Sequence, residues 1–325
     1  MGNLVCGILS FLGASFVVAT YCWFKDLRKF AFKLVFFLAC SDVANSLANM
    51  IGNPDEGTGA CMFQALVDSF FALSSILWTT MIAYCLYSTV IQRRPVDETR
   101  RKEKKMYLFC WGFPMVVTLL PLTTSSYGQT GGWCWIKGGE GNATGNAWRV
   151  LQLYLPLWVA MGYVAYVYYH IVKTIKSVIE AQREADAAQQ GGGAGSPGGA
   201  GSGDGAAAAR QQLKMIRRLQ FYPVIMLVCW FFPTLNRLQN VFADKPSFTL
   251  SVLAVSFSSL QGFFNAAAYG LTPSVTTRVA QAFRECRRGR DNDLYRRDIA
   301  QVELGAMAND AVYDDEEHYD DVATI

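Results

Sequence analysis

Seven apolar stretches of this chain are each long enough to cross a lipid bilayer as a helix. A spanning helix needs about 20 mainly apolar residues, and Asp42, Asp68 and Arg237 are the formal charges inside these stretches. The stretches are residues 4–24, 34–52, 61–92, 106–127, 150–169, 219–241 and 248–272. We therefore predict an all-α membrane protein that folds as a bundle of seven transmembrane helices.

Lysine and arginine are concentrated in alternate connections between these stretches. They lie in the first, third and fifth connections and after the seventh stretch, and the exceptions are Lys137, Arg149, Arg237 and Lys245. Because basic loops stay on the cytoplasmic side, we expect the N-terminus outside, the C-terminus inside and a multi-pass protein of the plasma membrane. The basic loops are expected to meet anionic lipid headgroups of the bilayer rather than nucleic acid.

Composition divides the chain into a receptor-like domain, residues 1–288, and a tail, residues 289–325. Residues 189–209 of the third cytoplasmic connection are rich in Gly and Ala and are expected to be disordered, whether natural or engineered, because they cannot bury enough apolar surface. The helix-forming residues 173–188 and 210–218 on either side predict cytoplasmic extensions of helices five and six. Residues 274–288 predict a basic amphipathic helix along the inner leaflet, and the acidic tail is expected to be disordered.

Three positions are candidates for covalent modification. Cys61 and Cys134 both lie on the expected outer side, where the compartment is oxidising. A bridge between them would close a loop of about 70 residues and stabilise the fold by on the order of 4 kcal/mol. Asn142 begins an Asn-Ala-Thr sequon in an outer loop, which is either glycosylated or an unmodified surface loop. Cys286, near the end of the amphipathic helix, is a candidate for palmitoylation.

Enzymatic interpretations have little support in the sequence. The chain has two histidines, His170 and His318, and a catalytic zinc site needs three protein ligands. The glycine-rich stretch has neither the lysine nor the strand-to-helix context of a phosphate-binding loop. The seventh stretch has no lysine for a retinal Schiff base. We expect no catalysis, no cofactor and no bound metal.

Polar residues inside the second stretch share one helix face. Asp42, Asn45 and Asn49 recur at a spacing of three and then four residues, which places them on the same side of a helix. Asn265 in the seventh stretch could join them through hydrogen bonds or water. Two compatible interpretations stay open, namely a structural polar network and a hydrated hub that rearranges between inactive and active states.

A candidate ligand site lies near the outer end of the third stretch. Asp68 is seven residues, roughly 10 Å, along the helix from Cys61, and Gln64 lies one turn above it on the same face. Both side chains are expected to face a cavity that opens outward.

Two arginines at the same depth could contact an anionic ligand. Arg237, with Asn236 and Asn240 beside it, is near the outer end of the sixth stretch, and Arg149 begins the fifth. A guanidinium can pair with an anion through two hydrogen bonds. The alternative is that Arg237 forms a structural ion pair with Asp68.

Prolines interrupt three of the predicted helices, the fourth, fifth and sixth. Each removes a backbone hydrogen bond and permits a kink. Two of them fall in the sixth helix, whose kinks are either static or suited to an outward movement of its inner end. The prolines are Pro114, Pro121, Pro156, Pro223 and Pro233.

The order of short motifs along the chain resembles one receptor family. The motifs include Leu27-Arg28-Lys29, Ser41-Asp42, Cys61, Cys134-Trp135-Ile136, Phe221-Tyr222-Pro223, Asn236-Arg237, Gln261-Gly262, Asn265 and Tyr269-Gly270. Over residues 3–290 the chain is similar to the cyclic AMP receptor family of G-protein-coupled receptors, with its slime-mould, plant and protist members. The resemblance implies a heterotrimeric G protein at the cytoplasmic face and a small extracellular ligand, which is cyclic AMP in the best-known members.

Some features depart from related patterns. The third stretch ends Tyr84-Cys85-Leu86-Tyr87, without the acidic-arginine-aromatic switch of rhodopsin-like receptors. The tail has no serine and a single threonine, Thr324, so regulation by clustered phosphorylation is not expected there. The competing interpretation is a small-solute membrane transporter, but the sequence has no repeated halves with matching broken helices.

Overall fold

The structure is a computed structural model, and it describes residues 2–139, 141–191, 219–242 and 247–288. Met1–Thr272 forms one compact unit, and the helix of residues 273–288 belongs to a second unit. The predictions for residues 192–218 and for the tail, residues 289–325, lie outside the described residues. Residues 189–191, which were predicted to be disordered, are the helical end of the fifth span.

Six helical stretches of the described chain are long and apolar enough to cross a membrane, and a bent pair of helices makes a seventh. In chain order the spans are Gly2–Trp23, Phe30–Met50, Gly59–Val90, Glu103–Thr124, Ala143–Thr174, Phe221–Phe242, and Phe248–Ser259 with Gln261–Gly270. The fifth continues as helix to Gly191. The seven-span prediction therefore agrees with the structure when the bent pair counts as one span.

The third span is the centre of the bundle. It contacts the second, fourth, fifth and sixth spans, and its Leu73, Trp78 and Ile82 are fully buried. Large apolar side chains such as Leu12, Val116 and Val159 are instead exposed on other spans. Exposed apolar faces of this length suit a hydrocarbon surrounding, in which backbone hydrogen bonds must be satisfied inside each helix.

The fourth and fifth spans each contain a π-helical segment next to a proline. The segments are Leu108–Gly112 and Val150–Tyr154, and Pro114 and Pro156 follow two residues after them. Proline has no N–H, and its ring collides with the carbonyl four residues earlier. A π segment just before the proline widens the turn and moves the hydrogen-bond ladder past this collision. The prolines therefore mark where both spans depart from regular α-helix.

The structure corrects the predicted ends of the fourth and fifth spans and the predicted continuity of the seventh. The fourth ends in a 3-10 turn at Thr124, because Ser125 takes a left-handed backbone conformation with φ 50°. The fifth begins at Ala143, where the Asn142 side chain accepts the Gly145 N–H at 2.9 Å and caps the helix. The seventh, predicted as one helix, is broken at Leu260 and bent by 42°.

A two-stranded antiparallel hairpin joins the fourth and fifth spans, and the all-α prediction did not include it. Its strands are β1, Tyr127–Gln129, and β2, Cys134–Ile136. The predicted disulfide is confirmed, since Cys134 is bonded to Cys61 with their Cα atoms 5.2 Å apart. We call this side of the bundle the hairpin end. At the opposite end an ion pair between Lys33 and Glu103 links the second and fourth spans.

Candidate ligand cavity

A cavity of about 150 Å³ lies between the spans at the hairpin end. Its lining comes from the second, third, fifth, sixth and seventh spans and from the hairpin. The aromatic part of the lining is Trp133, Trp135, Tyr154 and Trp230. The polar part includes Asn45, Asn49, Asp68, Asn236 and Arg237. An aromatic enclosure with a few convergent polar groups is the usual form of a small-molecule site.

Arg237 is held in the cavity by one tyrosine. Its Nη2 donates a 2.8 Å hydrogen bond to Oη of Tyr154, and its Cζ lies 4.7 Å from the centroid of the same ring. Tyr154 is the last residue of the π segment in the fifth span, so that segment helps to place the ring. The buried Nε of Arg237 has no hydrogen-bond partner within the described chain. The guanidinium is therefore oriented but not neutralised.

Asp68 lines the same cavity without meeting Arg237. The ion pairs between described residues are Lys33–Glu103, Arg94–Glu98 and Lys137–Glu56. No described side chain donates a hydrogen bond to the Asp68 carboxylate. The alternative of a structural Arg237–Asp68 pair is therefore not observed, and the cavity contains one positive and one negative group that are not joined.

Gln64 does not line the cavity. Its Nε2 donates to the carbonyls of Ala48 and Gly52, each at 2.9 Å, and its Oε1 accepts the Cys134 N–H at 2.7 Å. The side chain is buried, and its hydrogen-bonding groups are used on backbone. Its position disagrees with the predicted ligand contact, because the amide instead connects the second span, the third span and β2.

Arg149 also binds the hairpin. Its Nε donates to the Ile136 carbonyl at 2.8 Å, and its Cζ lies 5.4 Å from the centroid of the Trp135 ring. Since Trp135 lines the cavity and Arg149 does not, the structure places this arginine behind the aromatic lining. The direct ligand contact predicted for Arg149 is not visible in this arrangement.

Two asparagines flank Arg237 along the sixth span. Asn236 lines the cavity, and its Oδ1 accepts a 3.2 Å hydrogen bond from Oγ of Ser251 in the seventh span. The side chain of Asn240 lies outside the described part of the structure.

Tyr127 fixes β1 against the fourth span. Its Oη donates to the Thr118 carbonyl at 2.8 Å, and burial raises the pKa of this phenol above its usual value. The group therefore stays protonated and able to donate. Together with Gln64 and Arg149 it holds the hairpin over the cavity.

A chain of buried hydrogen bonds runs from the cavity into the bundle. Nε1 of Trp230 donates to Oε1 of Gln261 at 2.7 Å, and Nε2 of Gln261 donates to Oγ of Ser75 at 3.0 Å. Ser75 Oγ donates to Asp42 Oδ1 at 2.7 Å, and Asn265 Nδ2 donates to Asp42 Oδ2 at 2.8 Å. These hydrogen bonds thus connect the sixth, seventh, third and second spans.

The other two members predicted for this network bond mainly to each other. Asn49 Nδ2 donates to Asn45 Oδ1 at 2.7 Å, and both residues line the main cavity and a smaller one of about 20 Å³ beside Asp42. Sequence analysis gave Gln261 only within the Gln261-Gly262 motif and not as a network member, and it missed Ser75 and Trp230 altogether. Only their position inside apolar stretches marked them, and that signal is shared by many structural residues.

The modification candidates occupy different settings. Asn142 is half-buried, and its side chain caps the fifth span while its Nδ2 donates to the Lys137 carbonyl at 3.4 Å. Cys286 is exposed on the helix of residues 273–288. Neither modification is tested by these positions, and both stay predictions.

Comparison with known proteins identifies relatives of the whole bundle. Residues 3–187, more than half of the chain, match the slime mold cyclic AMP receptor family. G-protein coupled receptor 1 of Arabidopsis thaliana is 35% identical over 275 residues, which are 84% of this chain and 78% of that protein. Cyclic AMP receptor 2 of Dictyostelium discoideum is 28% identical over 267 residues, 80% of this chain and 63% of that receptor.

A solved structure shows the same fold. Squid rhodopsin superposes with a TM-score of 0.68 over 88% of this chain and 84% of its own, at 18% sequence identity. The two relatives from Arabidopsis thaliana and Dictyostelium discoideum are receptors and not enzymes. The chain belongs to the slime mold cyclic AMP receptor family and is a multi-pass G-protein-coupled receptor.

Proposed function

We propose that this receptor binds a small anionic ligand in the cavity at the hairpin end and activates a heterotrimeric G protein at the opposite end. In this proposal the hairpin end faces the outside of the plasma membrane, as the alternation of basic connections indicates. The observation that carries the proposal is that the guanidinium of Arg237 is oriented without being neutralised. Tyr154 orients its guanidinium, and no described carboxylate neutralises it.

A guanidinium inside a partly dry cavity favours an anion. Charge-assisted hydrogen bonds from arginine to phosphate or carboxylate are roughly twice as strong as neutral ones. The Nε of Arg237 lacks a partner within the described residues, so a ligand anion would supply a hydrogen bond that is now missing. Asn236 is adjacent and adds an amide group, and Asn240 is proposed as a further contact one turn along.

A cyclic nucleotide fits this chemistry. Its phosphate would pair with Arg237, and its planar base would lie against aromatic rings such as Trp133, Trp135 and Trp230. One relative of this chain is named cyclic AMP receptor 2, which makes cyclic AMP the first ligand to test. Gln64 and Arg149 would act indirectly, because both hold the hairpin that carries Trp135.

The hydrogen-bond chain from Trp230 to Asp42 is our candidate for the route by which occupancy reaches the rest of the bundle. Trp230 touches both the cavity and Gln261. A ligand that moves the indole would break or shift that bond, and the change would reach Ser75 and Asp42. The asparagines Asn45, Asn49 and Asn265 would then belong to the hub that rearranges on activation.

The opposite end would carry the intracellular functions. The fifth span extends as helix to Gly191, beyond the length that a bilayer requires, and could contact a G protein there. The helix of residues 273–288 would lie along the inner leaflet with Cys286 as a palmitoylation site. Asn142 would carry a glycan on the outside.

The experiment uses full-length receptor in lipid nanodiscs with purified heterotrimeric G proteins and increasing cyclic AMP. We expect cyclic AMP to accelerate nucleotide exchange on at least one G protein. Adenosine, which lacks the phosphate, and empty nanodiscs serve as controls. An equal exchange rate with and without cyclic AMP for every G protein tested would reject the nucleotide, and a failure with a broad panel of anions would reject the proposal.

A further inference from the structure

The cavity contains a guanidinium and a carboxylate, and these two groups favour different chemical groups on a ligand. Arg237 lies at the sixth span and Asp68 at the third, and both line one cavity of about 150 Å³. Each is left without an ionic partner among the described residues. An unpaired charge in a desolvated site is costly, so a well-matched ligand must satisfy both groups.

A ligand that is only an anion pairs with the guanidinium of Arg237 and is repelled by the carboxylate of Asp68. Its charge would pair with Arg237 but would share a cavity of about 150 Å³ with the Asp68 carboxylate, and like charges repel. A ligand that is only a cation would have the reverse problem. A ligand that presents an acceptor or anion at one end and a hydrogen-bond donor at the other leaves neither group unpaired.

The shape of the lining restricts the part of the ligand that joins these ends. Trp133 and Trp135 come from the hairpin, Tyr154 from the fifth span and Trp230 from the sixth. Aromatic rings contributed by three separate elements favour a flat ring system, which makes face or edge contacts with them. An aliphatic chain of equal length would make weaker contacts with these rings and would lose more rotational freedom on binding.

We propose that the cavity selects a planar ring compound that carries both an anionic group, bound by Arg237, and an amine or equivalent hydrogen-bond donor, bound by Asp68. Asp68 is thereby assigned as the residue that determines specificity for the donor. The inference rests on the proposed function of the cavity as the ligand site. It adds that an anion alone is not sufficient for tight binding.

Binding is tested on full-length receptor in nanodiscs without a G protein, so a failure of coupling does not affect the readout. Two matched sets of compounds are used. The first is cyclic AMP, adenosine, which lacks the anion, and purine riboside 3′,5′-cyclic phosphate, which lacks the amine. The second is tryptophan, tryptamine and indole-3-propionate. Dissociation constants come from the rise in melting temperature with compound concentration, since a bound ligand stabilises the folded state.

In at least one set, the compound with both groups should bind at least about tenfold more tightly than either partner compound, a difference of about 1.4 kcal/mol. Asp68→Leu should remove the advantage over the compound without the amine and keep the advantage over the compound without the anion. Asp68→Asn, which keeps one acceptor oxygen, should give an intermediate result. Arg237→Gln should show the converse pattern.

Two results would overturn the inference. One is wild-type receptor that binds the members of each set equally, including no binding of any. The other is Asp68→Leu that weakens all members of a set by the same factor, because a structural role predicts that uniform loss. The wild-type comparison alone decides the ligand class if a variant does not fold. Activation of a G protein by anions that lack a donor would contradict this inference and leave the proposed function intact.

Discussion

Gln64 and Cys134 are joined by a 2.7 Å hydrogen bond from the cysteine N–H to the glutamine side-chain oxygen. Cys134 is also bonded to Cys61, which lies three residues before Gln64 on the third span. The hairpin is thus attached to one helix turn by a covalent bond and by a buried amide. These two attachments hold Trp135 over the cavity.

Gln64→Leu should lower the stability of the receptor by about 1–3 kcal/mol, since it leaves the buried Cys134 N–H without its acceptor and removes the donor to the Ala48 and Gly52 carbonyls. The melting temperature in nanodiscs measures this loss. Met62→Leu is the matched control, because Met62 is exposed on the same helix. A Gln64→Leu receptor as stable as the control would show that water replaces the amide.

Removal of the disulfide should have a larger effect. Cys134→Ser should cost about 2–5 kcal/mol, the usual loss when a native bridge is removed from a small extracellular fold. Cys22→Ser, at an exposed free cysteine, should change little. Thermal melting with and without a reducing agent checks both variants, and a reducing agent should affect only proteins that keep the bridge. Equal melting of Cys134→Ser and Cys22→Ser would contradict the prediction.

Gln261→Leu should interrupt the chain that leads from the cavity to Asp42. It removes the acceptor of the Trp230 N–H and the donor to Ser75, so the expected loss of stability is about 1–3 kcal/mol. We also expect weaker coupling between ligand binding and nucleotide exchange. Phe263→Leu, at a more exposed position of the same helix, is the control. Full coupling in Gln261→Leu would exclude this chain as the route.

Gly262 permits the close approach of the seventh span to the first and second. A Cβ at this position would overlap Oγ of Ser10 in the first span and would lie 3.0 Å from Cβ of Asp42 in the second, which is too close for ordinary contact. Gly262→Ala should therefore destabilise the receptor by about 1–3 kcal/mol, the usual cost of overpacking. Gly162→Ala in the fifth span, where an added Cβ meets nothing within 4 Å, should be neutral or slightly stabilising. Similar melting temperatures for the two variants would disprove the packing argument.

Hydropathy was sufficient to predict the spans, because a spanning helix must be apolar. The charge pattern was sufficient to predict the disulfide, because it placed Cys61 and Cys134 on the same outer side. Hydropathy and charge were not sufficient for Gln64 and Asp68. Both residues lie on one helix face, so helical spacing predicted a common role. The difference arises because the Ala48 and Gly52 carbonyls and β2 come within reach of Gln64, and no local pattern encodes that approach.

The breaks in the helices could likewise be predicted only in part from the sequence. Pro114 and Pro156 indicated interrupted spans, but a proline is compatible with a kink, a π segment or a turn. Packing against neighbouring spans selects among these. The seventh stretch, residues 248–272, contains no proline, so the prolines gave no prediction of the bend at Leu260.

The central claim is that Arg237 serves a ligand rather than the fold, and one comparison tests it. Nucleotide exchange is measured against concentration of cyclic AMP, or of the most active compound from the two sets, with melting temperatures of the same preparations. The proteins are wild type, Arg237→Ala, and Arg237→Ala combined with Asp68→Ala. We predict that Arg237→Ala lowers potency by roughly 10 to 100 fold, about 1.4–2.8 kcal/mol, at nearly unchanged melting temperature. A collapse of stability in Arg237→Ala that the second substitution restores would reveal a structural ion pair and contradict the account.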